Sequence, residues 1–355
     1  MFVVYLQKFL IKNDKNAKNN KKEEDSGDPP GECWIEKMPN LVLREIISNL
    51  NRVDIWRLRY VSRGLQAYVD EGFPLFFGRI KKVFLEIRPQ KIDLLLTTDK
   101  FREIKIDYLQ IGESCVVKWI QTVGSTDVVL QDEQFLEIFL LDFATFLKHK
   151  NLEYLEIKGY FDLDPNHLLK PVVDGIYGFF EGNPKINITS LNVSILENSQ
   201  LSKILTAVDQ NSLKNLTVSR LFERVELMEE HPEKGNLNFE SIGNLESLKI
   251  YGFQIPIHEA ESILERTKNA HISFGEITVE DVEALKEKLQ SSATIQSLDF
   301  YYKTLFNEQD LVENLGEFTL SNFGQKWEFK SPDGKLHVEL SSARKWFRFW
   351  KCKCV

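Results

Sequence analysis

Residues 38–70 read Met38-Pro-Asn-Leu-Val-Leu-Arg-Glu-Ile-Ile-Ser-Asn-Leu50-Asn-Arg-Val-Asp-Ile-Trp-Arg-Leu-Arg-Tyr-Val-Ser-Arg-Gly-Leu-Gln-Ala-Tyr-Val-Asp70, and their spacing predicts three short amphipathic helices. Val42, Leu43, Ile46, Ile47 and Leu50 recur at i, i+4 and i+8, which sets them on one stripe of a first helix. Asn51 stands where a second helix needs a cap for its free N–H groups, with Asp54 three residues on to favour the positive helix start. Ile55, Trp56, Leu58, Tyr60 and Val61 supply that helix's apolar residues. Ser62 caps a third helix carrying Leu65, Tyr68 and Val69, and Gly72-Phe-Pro74 ends it. Three helices this short cannot bury both faces among themselves, and apolar surface left over marks a partner site.

The flanks differ in kind. Residues 12–31, rich in Lys, Asn, Asp and Glu and closing on Gly-Asp-Pro-Pro-Gly, have little to bury against the entropy of ordering, so residues 1–32 are expected to be a disordered segment and linker. The run Met1 to Ile11 is apolar but lacks a basic leader and is too short to span a bilayer. Beyond residue 78 short strands alternate with helices. Apolar-x-x-apolar-x-apolar sets such as Leu152/Leu155/Ile157, Ile188/Leu191/Val193, Leu213/Leu216/Val218, Leu245/Leu248/Ile250 and Ile295/Leu298/Phe300 recur at about 25 residues, near the period of leucine-rich repeats. Amphipathic segments at 135–147, 201–208, 259–266 and 279–289 are long enough to return the chain between strands. The expected fold is therefore α/β: three N-terminal helices over 33–77, then an irregular leucine-rich-repeat-like α/β solenoid over 78–320. Lys326–Lys330, Lys335–Leu340 and Trp346–Trp350 alternate as strands, with Pro332-Asp-Gly334 as turn chemistry, so 321–355 should form an antiparallel cap.

Composition bounds the function. A 355-residue chain with 43% hydrophobic residues is globular, and a net charge of -8 argues against bulk nucleic-acid binding. Four cysteines, Cys33, Cys115, Cys352 and Cys354, are too few and too scattered for a disulfide framework or a paired zinc site. The six histidines show neither the pairing nor the neighbouring cysteines of a zinc site. No serine-nucleophile elbow and no phosphate-cradling glycine loop is present, so neither a catalytic constellation nor a cofactor or metal site is expected. The tail from Arg344 is basic and aromatic; it reads as an edge strand with its charges in water in preference to a nucleic-acid or membrane contact. Acidic pairs such as Glu229-Glu230 and Glu280-Asp281 read as solvated faces or helix starts.

Met38-Pro39, Leu43, Ile46-Ile47, Leu50, Asp54, Leu58-Arg59, Val61-Ser62-Arg63, Leu65 and Val69 together resemble the F-box pattern. Leu41 departs from it, where the family often has an acidic residue, and Leu65 stands where many members carry Trp. The wording of the motif and the layout behind it are similar to the expanded nematode F-box families, which join an F-box to an FTH-type or F-box-associated C-terminal domain. The resemblance implies a non-catalytic subunit of a Skp–cullin ubiquitin ligase, acting in the cytoplasm and/or nucleus. It implies docking on a Skp-type adaptor through Met38, Pro39, Val42, Leu43, Ile46, Leu50 and Leu58, and through the adaptor a link to a cullin. The C-terminal region would then select a protein substrate for degradation. A scaffold that uses the F-box for assembly without ubiquitylation is the alternative.

Overall fold

A computed structural model describes residues 38–100, 103–120, 125–148, 151–159, 168–181, 185–221, 242–332 and 334–353. The expected linker at 1–32, Cys33, Trp34, His149, His167, His231, Glu229-Glu230 and Cys354 lie outside the described residues. The chain divides into two compact units, one of residues up to 80 with 95–135, the other of 81–94 with residues from 136 on.

The first unit holds helices α1 (Asn40–Ser48), α2 (Arg52–Leu58), α3 (Arg63–Glu71) and α4 (Phe73–Phe77). The caps are those anticipated from sequence. The Asn51 side chain accepts the Asp54 N–H at 2.9 Å, and the Ser62 hydroxyl accepts the Leu65 N–H at 3.2 Å. Each cap of this type stabilises its helix by about 1 kcal/mol. Strands β1 (Ile80–Arg88) and β2 (Lys91–Thr98) come next in the chain, followed by β3 (Ile104–Ile111), β4 (Ser114–Ile120) and β5 (Ser125–Leu130). Within the unit β3, β4 and β5 pair antiparallel in succession. This meander stands where a strand-helix repeat was expected, and β4 was not anticipated.

The inner faces of the helices and the meander share an aromatic core. The ring of Trp56, fully buried on α2, lies 6.1 Å from Phe73, 5.9 Å from Phe77 and 5.3 Å from Trp119 on β4. The indole N–H donates to the Tyr60 hydroxyl at 3.1 Å, so the one polar atom of the ring is satisfied. The Arg59 guanidinium sits 4.0 Å from the Trp56 ring centroid, and its Nε donates to Asp70 at 2.5 Å. A charge placed in the core is thereby paired and stacked at once.

The second unit is a mixed α/β layer built on one open sheet with the order β12-β13-β14-β15-β11-β10-β9-β8-β7-β6-β1. Its strands are β6 (Leu152–Gly159), β7 (Ile188–Ile195), β8 (Asn215–Arg220), β9 (Leu245–Tyr251), β10 (Thr267–Thr278), β11 (Ser297–Phe306), β12 (Thr319–Leu320), β13 (Gln325–Ser331), β14 (Gly334–Ser341) and β15 (Trp346–Lys353). From β1 to β6 and on through β11 every neighbouring pair is parallel. Helices α5 (Phe135–Lys148), α6 (Leu169–Phe180), α7 (Asn198–Ala207), α8 (Ile257–Glu265) and α9 (Val279–Ser291) connect the strands, and a short α10 (Leu311–Leu315) precedes β12. Right-handed crossovers between parallel strands laid down in chain order return each helix to the same face of the sheet. Side-chain burial agrees. Leu191, Val193 and Ile195 of β7 are buried, while Ser190, Asn192 and Ser194 between them are half-buried on the other face.

Of these helices, α6 was not foreseen. Helix α9 begins where Glu280-Asp281 read as a helix start: the Thr278 hydroxyl accepts the Asp281 N–H at 3.2 Å, and the Asp281 carboxylate accepts the Thr278 N–H at 2.9 Å. The cap strands β13, β14 and β15 pair antiparallel as their alternation predicts. The edge reading of the tail is corrected, because β15 lies inside the sheet, hydrogen-bonded to β11 on one side and β14 on the other. Phe347 and Phe349 explain the difference. Both are fully buried against Phe300, and two such rings side by side cannot be left at a wet edge.

Candidate functional site

Helix α1 sorts its apolar residues into two rows. Leu43 and Ile47, one turn apart, face inward at 5% and 0% exposure. Val42 is 45% exposed, and Ile46 and Leu50 at four-residue steps beyond it are half-buried, so this second row looks outward. Pro39 is exposed at the helix start, where its carbonyl accepts the Val42 and Leu43 N–H groups at 2.9 and 3.0 Å. Proline has no N–H, so the turn leading into the helix leaves no donor unsatisfied there. Met38 before it is half-buried.

The seven residues expected to form the docking surface therefore fall into two groups. Pro39, Val42, Ile46, Leu50 and Met38 keep surface accessible to a partner, whereas Leu43 and Leu58 (2% exposed) are enclosed within their own unit. Leu58 is enclosed because α2 turns all of Val53, Ile55, Trp56 and Leu58 inward. Leu41, outside the expected set, is 79% exposed beside Val42 and extends the outward apolar row. Its position two residues after Pro39 and directly before Val42 of the outward row is the signal that could have placed it there.

Trp119, the partner of Trp56, was equally absent from the sequence reading. Its signal was the alternation Cys115, Val117, Trp119 after the two-residue Gly112-Glu113 turn, in which Gly112 takes φ 62°.

Among the described residues no group of three or more His, Cys, Asp or Glu is placed to hold a metal ion, and no helix is long and apolar enough to cross a membrane. Cys115 is buried, and Cys352 is exposed on β15.

Comparison with known families gives two matches along the chain. Residues 35–71 match the F-box domain, and residues 170–317 match the FTH domain. The chain thus joins an N-terminal F-box to an FTH domain. No curated protein matches the sequence. F-box proteins are generally non-catalytic adaptors of ubiquitin ligases, and an F-box implies binding to a Skp-type adaptor and hence to a cullin.

Proposed function

We propose that this protein is a substrate receptor of a Skp–cullin–F-box ubiquitin ligase, working in the cytoplasm and/or nucleus and directing a protein target to degradation. In this reading the outward row of α1, Pro39, Leu41, Val42, Ile46 and Leu50, holds the adaptor, while the second unit binds the target. The observation that carries it is the outward apolar row itself: it lies on the F-box segment, with Pro39, Leu41 and Val42 exposed and Ile46 and Leu50 half-buried. Leu43 and Leu58 contribute indirectly, by fixing α1 and α2 against the aromatic core. The run of parallel strands in chain order supports describing the second unit as a degenerate leucine-rich-repeat-like solenoid. Chemistry would belong to other subunits, and this chain would accelerate transfer by holding the target near the loaded enzyme.

The test is Val42→Asp in the full chain. An exposed side chain can be changed without cost to folding, whereas a carboxylate pressed into an apolar interface loses the contact and its own hydration. Adaptor affinity should fall by more than about 2 kcal/mol, roughly thirtyfold. Leu50→Asp should act in the same direction. Undiminished co-purification of the adaptor with both folded variants would remove the docking assignment. The scaffold alternative separates by turnover, since a scaffold's partner would not accumulate when the adaptor is depleted.

A further inference from the structure

On the sheet face opposite the buried strand residues Ile250, Ile272 and Phe300, one lateral row crosses four strands: Lys249 of β9 is registered with His271 of β10, His271 with Asp299 of β11, and Asp299 with Arg348 of β15. The His271 ring lies between two exposed tyrosines, 5.1 Å from Tyr251 and 5.5 Å from Tyr301. Its Nε2 is buried without a hydrogen-bond partner. Asp299 Oδ1 is also buried and makes no hydrogen bond, although Arg348 Nε stands 3.4 Å away as an ion-pair partner. Burial pushes the imidazole towards its neutral form and the carboxyl upward, and each moderates the other. Lys249 is exposed, as are Arg348 and Lys303, which follows Tyr301 by two residues. Glu339, next to Arg348 in the row, is buried and accepts the Ser321 hydroxyl. Within the row Lys249 and Arg348 are exposed at the two ends, Asp299 is half-buried between them, and Glu339 beyond Arg348 is buried, so the charges the row itself offers to solvent are mainly the two cations.

We infer that this row, between Lys249 and Arg348 and flanked by Tyr251 and Tyr301, is a binding site for an extended acidic peptide segment of the target protein. The inference rests on reading the second unit as the target-binding part, and it names the chemistry of the target. Lys249 and Arg348 stand three strand spacings apart, about 14 Å. An extended peptide crossing the strands advances about 3.3 Å per residue and turns alternate side chains to one side, so positions i and i+4 meet the two cations. The side chain at i+2 falls between His271 and Asp299 and must not be acidic, because a carboxylate there would meet the Asp299 carboxylate. The site thus reads acidic–x–non-acidic–x–acidic. Tyr251 and Tyr301 supply hydroxyl donors and flat apolar walls to the intervening residues.

The experiment is fluorescence anisotropy with the full chain and labelled peptides bearing Glu at i and i+4 with Thr at i+2, the same peptide with Glu at i+2, and the same peptide with Lys at i and i+4. The Thr peptide should bind, and the other two should bind at least tenfold more weakly. Lys249→Gln with Arg348→Gln should cost the Thr peptide at least tenfold, while Lys170→Gln on helix α6 should change nothing. Glutamine keeps most of each side-chain stem, and an unchanged melting profile certifies the fold. Equal binding of the lysine peptide, indifference to the double substitution, or no binding of any peptide up to about 1 mM overturns the site. Adaptor co-purification, scored on the same preparations, fails or stands independently, so loss of one reading is distinguishable from loss of the other.

Discussion

Asp70→Ala tests whether the F-box helices are held by their buried ion pair as well as by apolar packing. The Arg59 side chain is fully buried, and that of Asp70 is 24% exposed. The two meet in a fork, Nε to Oδ1 at 2.5 Å and Nη2 to Oδ2 at 3.3 Å. Removing the carboxylate takes from the buried guanidinium, stacked on Trp56, the acceptor of its Nε and Nη2 groups. Breaking a buried pair in this way costs about 3–5 kcal/mol, and the partial exposure of Asp70 brings the expectation down to about 2–3 kcal/mol. Because the chain has two units, a single unfolding transition is the wrong readout. Amide hydrogen exchange over 53–69, followed by mass spectrometry, reports the local opening. The slowest amides there should exchange roughly 30- to 150-fold faster, while those of β7 and β8 stay as they are. Arg59→Met with Asp70→Ala should recover most of the protection, since an apolar chain replaces the buried charge. Acceleration below about threefold in Asp70→Ala, or a double variant worse than the single one, would refute the ion-pair account.

Three further outcomes follow from the second unit. Gly324 has φ 152°, and a Cβ there would run into the carbonyl oxygen of Leu340, so Gly324→Ala should loosen β13 from β14 and raise exchange in both strands by at least tenfold. Burial, aided by Glu308, pushes the Tyr302 hydroxyl up to about 12 from 10.0. A raised acid stabilises the fold below its unfolded value, and that stability is lost as pH rises from 10 through 12; Tyr302→Phe should flatten this alkaline limb in a pH series of thermal melts. His271 and His337 are both held below their usual 6.5 by burial, so the stability tied to their neutral forms is present above 6.5 and lost as pH falls below it; replacing both with Gln should reduce the acid sensitivity in that window.

Much of this was legible along the chain. The helix caps at Asn51 and Ser62 are local chemistry, readable from three or four residues, and the parallel strands announce themselves by Leu-x-x-Leu-x-Val periods that need no knowledge of neighbours. The orientation of α1 was not readable. Val42 and Leu43 are both apolar and adjacent, and which of them turns inward is decided by the packing of the folded unit, which spacing along the helix does not reveal. The placement of β15 was hidden for a similar reason. Alternating Trp, Phe and Arg suits an edge or an interior strand equally, and the choice is made by Phe300, an apolar neighbour fifty residues upstream. The row Lys249, His271, Asp299 and Arg348 could not be found from spacing at all, since register across four strands brings it together.

The strand order also sets a timetable. From β6 to β11 each new strand adds beside its immediate predecessor, so pairing can proceed as the chain emerges, each strand meeting a partner already made. Strand β15 breaks that rule: it is made after β12, β13 and β14, yet it sits between β11 and β14. Until residues 346–353 arrive, β11 has a bare flank with Phe300 and Tyr302 beside it, and the hairpin of β13 and β14 has nothing to join. A nascent or truncated chain lacking those eight residues would therefore display a sticky sheet edge, and would itself be a candidate for chaperone capture or degradation.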